Sequence, residues 1–146
     1  MAFSFNNLGS ALRKKGDVKS AIENYTKAIV AKADNYVAYN NRGSAKFDGG
    51  DYQGAIDDFT SAIKIKGDYA YAYNNRAAAK FKLKDYNGSI DDATKAIQLN
   101  NEYAAAFLNR GIAKEMIRDQ KGACRDWEKA NKLGNEAAAR YMGDCK

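Results

Sequence analysis

AYNNRGSAKF at residues 38–47 and AYNNRAAAKF at 72–81 differ only at Gly43/Ala77 and Ser44/Ala78. Stepping outward by the same 34 residues finds SFNNLGSALR at 4–13 and AFLNRGIAKE at 106–115. A second segment follows each of these: GDVKSAIENYTKAI (16–29), GDYQGAIDDFTSAI (50–63), KDYNGSIDDATKAI (84–97) and RDQKGACRDWEKAN (118–131). The copies align without gaps. Repetition at this period means stacked supersecondary units, each burying its apolar face against its neighbours.

Both segments carry helical periodicity. Phe5, Leu8, Gly9 and Leu12 fall at i, i+3, i+4 and i+7, and Ala21, Tyr25, Ala28 and Ile29 form a similar stripe. Gly16-Asp17, Gly50-Asp51 and Lys84-Asp85 separate them. Glycine closes a first helix, and the Asp carboxylate meets the free N–H groups that open a second. Helices of about 13–15 residues joined by loops of about two to five residues must run antiparallel. Small residues recur where such helices approach: Gly9, Gly43, Ala77 and Gly111 in the first, Ala21, Ala55, Ser89 and Ala123 in the second. Tyr25, Phe59 and Trp127 fill the space between them. Ala93 holds that register in the third copy, which predicts looser packing there or Tyr73 leaning in.

The small–aromatic alternation, the 34-residue period, the GDY element at 50–52 and the AI-x-D-F-x-x-AI element at 55–63 resemble the tetratricopeptide repeat (TPR). The resemblance covers residues 2–137. It implies an all-α fold, a right-handed α–α superhelix (TPR solenoid) of antiparallel helix pairs. Repeats would lie at 2–35, 36–69, 70–103 and 104–137, with a capping helix at 138–146, all in a single domain. The helix-ending proline usual in the family is replaced by Ala33, Gly67, Asn101 and Asn135. Gly and Asn can end a helix through a left-handed turn instead.

Arg42, Arg76 and Arg110 share a register that is Leu8 in the first copy. Sixteen residues on stand Asp58, Asp92 and Asp126, and Asn24 where the arginine is missing. The two changes track each other, so structural salt bridges across each helix pair are expected, because an unpaired buried charge is costly. Pairing to the preceding copy's acid would leave Asp126 alone, and ligand binding by the arginines is the competing role.

The resemblance also implies that the first helices line a concave groove holding a partner protein or peptide. Its floor would carry Asn7, Asn41, Asn75 and Asn109, one per copy, beside Asn6, Asn40 and Asn74. Phe47, Tyr71, Phe81 and Lys82 flank them, and Leu108, Ile112 and Met116 make an apolar end where a ligand would anchor. The row resembles the asparagine ladder of some TPR proteins. A carboxamide donates and accepts, so it can pair with any peptide unit. The plain alternative is that these amides bond local backbone or water. A chaperone-tail carboxylate clamp, another TPR precedent, would need cations at Asn6, Ser10, Tyr71 or Asn75, and none is there.

Cys124 and Cys145 lie symmetrically about Gly134-Asn135. Residues symmetric about a helical hairpin's turn share a height, which suits a disulfide if the Cβ atoms face each other. Two unrelated small residues are the alternative. A bridge would imply a periplasmic or secreted setting, and free thiols a cytoplasmic one.

Catalysis is not expected. The 146 residues contain no histidine, no phosphate-binding glycine loop and no nucleophile motif, and two separated cysteines make no metal site. No cofactor is expected. The net charge of +6 is spread with both signs interspersed, which argues against a nucleic-acid interface. No stretch reads as a membrane span or signal peptide. The reading is therefore a non-catalytic adaptor, with self-association through the repeat ends or convex face as the alternative.

Overall fold

The computed structural model describes residues 1–145. Among them the chain is all-α: α1 (Ala2–Lys14), α2 (Val18–Ala31), α3 (Tyr36–Asp48), α4 (Tyr52–Ile65), α5 (Ala70–Lys82), α6 (Tyr86–Leu99), α7 (Ala104–Met116) and α8 (Gln120–Lys132). A 3-10 segment, Glu136–Asp144, follows and is termed the cap. The expected helix at 138–146 is thus corrected: it opens at Glu136, directly after the Gly134–Asn135 turn, and winds more tightly. Lys146 lies outside the described residues.

The chain forms two compact units, Met1–Ala72 and the residues from Tyr73 onward, with the boundary inside α5. In the first unit α1 packs on α2, α2 on α3 and α3 on α4. In the second, α6 packs on α7, α7 on α8, and α8 on the cap.

Each second helix opens on an aspartate. Asp17, Asp51, Asp85 and Asp119 accept from the N–H groups of Ser20, Gly54, Gly88 and Gly122, satisfying donors that a helix start leaves unpaired. The residue before each cap is left-handed: Gly16 (φ 85°), Gly50 (86°), Lys84 (65°) and Arg118 (67°). Glycine adopts this freely, whereas Lys84 and Arg118 do so against their Cβ atoms.

The small–aromatic pairs decide how close the hairpin helices come. A Cβ added at Gly9 or Gly43 would lie 2.7 Å from the ring of Tyr25 or Phe59, and one at Gly111 2.5 Å from the Trp127 indole. In the third copy both members change together, to Ala77 and Ala93. Both are fully buried, and a methyl stands at 77 where the other copies with a ring have glycine. Tyr73 does not lean in. It lies under the Arg76 guanidinium at 5.6 Å, as Tyr39 lies under Arg42 and Phe107 under Arg110.

Ser89 holds the register of Ala21, Ala55 and Ala123, and its buried hydroxyl has no hydrogen-bond partner. Removing a buried polar group that bonds nothing relieves its desolvation penalty, so Ser89→Ala is expected to raise stability by about 1 kcal/mol in urea unfolding.

Cys124 and Cys145 are bonded, with Cα atoms 5.6 Å apart. The bridge ties the cap over α8, where Ala138 joins Phe107, Ala123, Trp127 and Ala130 in one buried cluster. Tyr141 of the cap stacks on Trp127 at 5.3 Å. The bridge closes a loop of 21 residues, so Cys145→Ser is expected to lower stability by up to ~3 kcal/mol. Because Trp127 is the chain's one tryptophan, cap loosening would also shift its emission to longer wavelength.

Candidate functional site

The expected groove residues fall into three groups. The row asparagines stand on the first helices, with Asn7 exposed and Asn41, Asn75 and Asn109 half-buried. In the first unit Asn41 Nδ2 donates to Asn6 Oδ1 at 3.0 Å. In the second, Asn109 Nδ2 donates to Asn74 Oδ1 at 2.9 Å. Each bond joins the first helix of one repeat to that of the repeat before it within a unit, between positions 35 apart.

Asn40 and Asn74, one residue before the row, are 6 % exposed. Asn74 Nδ2 donates to Tyr103 Oη at 3.2 Å, and Asn40 bonds the Tyr69 hydroxyl. Their expected role as direct groove contacts is therefore corrected: buried and bonded to tyrosines, they back the row. Burial pushes the Tyr69 hydroxyl above its ordinary pKa, with the neighbouring Tyr36 and Tyr71 adding to the rise and the Asn40 bond opposing it.

The flanking groups divide. Phe47 packs edge-on against Tyr52 at 5.2 Å and Phe81 against Tyr86 at 5.3 Å, each inside its own hairpin and half-buried. Tyr71 is 60 % exposed and rests on Tyr69. Lys82 is exposed. Leu108 and Ile112 are partly buried and pack against the Trp127 cluster, and Met116 is 48 % exposed.

A cavity of about 350 Å³ in the first unit is lined by Ser10, Arg13, Lys14, Tyr25 and Asp48. Arg13 Nε meets Asp48 Oδ2 at 2.6 Å, and the Ser10 and Tyr25 hydroxyls bond at 3.0 Å. A second cavity, about 490 Å³, lies between α8 and the cap beside the disulfide, and no expected groove residue lines it.

The arginines are engaged elsewhere. Arg42, Arg76 and Arg110 each clasp Asp58, Asp92 or Asp126 through two bonds of 2.6–2.8 Å. Lys46, Lys80 and Lys114 add a second cation to each carboxylate at 2.9–3.1 Å. Sequence reasoning missed these lysines, although they recur at the same 34-residue spacing. Arg42 and Arg110 also donate to Thr26 and Thr94 of the preceding repeat. The Asp58 bond strengthens the hold of Arg42 on its proton, against the opposing effect of burial.

Residues 4–35 and 70–103 match the family model described as "Tetratricopeptide repeat", and residues 43–84 that described as "TPR repeat". The chain is 31 % identical to the second TPR of Spaghetti (RPAP3), solved bound to the HSP90 peptide SRMEEVD; the match covers 70 % of this chain and 95 % of that one, TM-score 0.67. It is 29 % identical to the second TPR domain of human RPAP3, solved with the HSP70 peptide SGPTIEEVD, over 77 % and 94 % of the two chains, TM-score 0.75. A crystal structure of MamA is 25 % identical over 92 % of this chain and 84 % of that one, TM-score 0.79. No curated protein matches the chain in sequence. With the helix pairs, their period and their glycine–aromatic contacts in agreement with these matches, the chain belongs to the tetratricopeptide repeat family.

Proposed function

We propose that the chain is a non-catalytic protein-interaction scaffold whose row asparagines, within each unit, hold an extended segment of a partner by its backbone. The observation that carries this reading is the tethered amide: Asn41 and Asn109 are fixed by one bond each, and their Oδ1 atoms have no partner among the described residues. An amide already immobilised loses little further freedom on binding. The RPAP3 domains it resembles bind chaperone peptides, which supports a peptide-binding role. Asn6, Ser10, Tyr71 and Asn75 offer no cation for a carboxylate clamp, which favours main-chain recognition instead.

The test is to select twelve-residue peptides from a random library and measure their affinity for Asn41→Ala and Asn109→Ala. Each substitution is expected to weaken binding about tenfold while unfolding stability stays within about 1 kcal/mol. Unchanged affinity in both variants would remove the row from the site.

Self-association is the second reading, favoured by the exposure of Phe3 (77 %) and Leu8 (50 %) on α1. Concentration-dependent light scattering separates the two. The cystine supports an oxidising compartment for the chain.

A further inference from the structure

The cystine between α8 and the cap joins two sulfurs in unlike surroundings. Cys124 and Cys145 are both half-buried, and both line the cavity of about 490 Å³ beside them, which gives a small molecule access to the bond. Cys124 is the fifth residue of α8, one turn from its N-terminus, and Gln120 Nε2 donates to its Sγ at 3.6 Å. Lys121 and Arg125, three residues before it and one after, line the same cavity, against one carboxylate of that helix, Glu128. Cys145 is placed differently. It closes the C-terminal end of the cap, where a helix leaves carbonyls unpaired. The sequence flanks it with one charge of each sign, Asp144 and Lys146.

A hydrogen-bond donor, neighbouring cations and a helix start all stabilise a thiolate, and a helix end does not. In thiol–disulfide exchange, the sulfur better able to carry the charge is the one that leaves. We propose that the cystine is an exchange site for a small thiol, with Cys145 the sulfur attacked and Cys124 the sulfur that leaves. A thiolate RS⁻ enters by the cavity and bonds Cys145 Sγ. The Cys124–Cys145 bond breaks, and its electron pair stays on Cys124. The first product is thus a mixed disulfide on the cap and a thiolate on α8. A second RS⁻ attacks the outer sulfur of the mixed disulfide, releasing RSSR and the Cys145 thiolate. Across the two steps two thiolates are oxidised and the cystine is reduced. The cap, which brings Ala138 and Tyr141 to the Trp127 cluster, is then no longer fastened to α8.

The test exposes the folded, oxidised protein briefly to reduced glutathione, quenches in acid, alkylates with N-ethylmaleimide and maps both cysteines by peptide mass spectrometry. Glutathione on Cys145 with maleimide on Cys124 is expected to exceed the reverse pattern about tenfold. Gln120 and Arg125 are exposed, so Gln120→Leu with Arg125→Ala leaves the fold intact while removing the sulfur's donor and one cation. In that variant the ratio should fall towards one, a change that a purely structural bridge would not show. An unchanged ratio would overturn the role given to Gln120 and Arg125. Glutathione mainly on Cys124, or shared equally in the parent protein, would overturn the polarity. A cystine that glutathione reaches only after unfolding in urea would overturn the exchange site itself.

Discussion

Gly43→Ala is expected to destabilise the chain, and the same substitution to stabilise it once Phe59 has become Ala. A Cβ at position 43 would sit 2.7 Å from the Phe59 ring, too close for real Cβ contacts, so one partner must shift. Such overpacking costs about 1–3 kcal/mol, outweighing the gain of about 0.5–1 kcal/mol from replacing a helical glycine. Phe59→Ala alone empties a fully buried site and should cost about 3–5 kcal/mol. With the ring gone, the methyl fills part of the cavity and the helix propensity gain is no longer opposed, so the double variant recovers about 1 kcal/mol. It reproduces the Ala77/Ala93 pair that the third repeat already carries. Urea unfolding of the four proteins reads the sign reversal directly. Additive effects would mean that ring and glycine do not share the space.

Asp58→Ala is expected to cost about 3 kcal/mol or more, because it strands two cations rather than one. Arg42 gives two bonds to this carboxylate, at 2.7 and 2.8 Å, and Lys46 approaches at 3.1 Å. The side chain of Asp58 is 5 % exposed and that of Arg42 18 %. Removing the whole pair should be far milder. The first repeat shows the substitute: Leu8 stands for the arginine, and Asn24 bonds the Ser20 carbonyl at 2.9 Å within its own helix. Arg42→Leu and Lys46→Leu with Asp58→Asn, which reproduce Leu8, Leu12 and Asn24 of the first repeat, are thus expected to recover most of the loss, as replacement of buried ion pairs often does. A triple variant as unstable as Asp58→Ala would mean that the ion cluster itself holds the hairpin together.

These two networks differ in how far they could be read from the chain. The Arg–Asp pairing was legible because the first repeat changes both members at once. The glycine–aromatic exchange carried the same kind of signal, yet Ala93 alone suggested looseness. The exchange is seen as a pair only when Ala77 is matched to it across the hairpin. Asn40 and Asn74 were harder. They sit one residue from the row, a rotation of about 100° on a helix, and what buries them comes from Tyr69 and Tyr103, each 29 residues further on. Nothing local distinguishes an amide that faces a groove from one that faces a distant hydroxyl. The apolar character of Leu108 and Ile112 also serves a core completed by Trp127 and closed by the cap. Leu8 shows the converse, an apolar residue on the helical stripe that is half exposed.

Side-chain amide spectra of nitrogen-15-labelled protein, recorded during titration with the tightest library peptide, test the proposed function most directly. The Asn41 and Asn109 NH2 signals are expected to move together with the peptide's saturation, while helices α2 and α8 stay unperturbed. Shifts confined to α2, α8 or the cap, with Asn41 and Asn109 unmoved, would place the partner elsewhere and contradict recognition through the row.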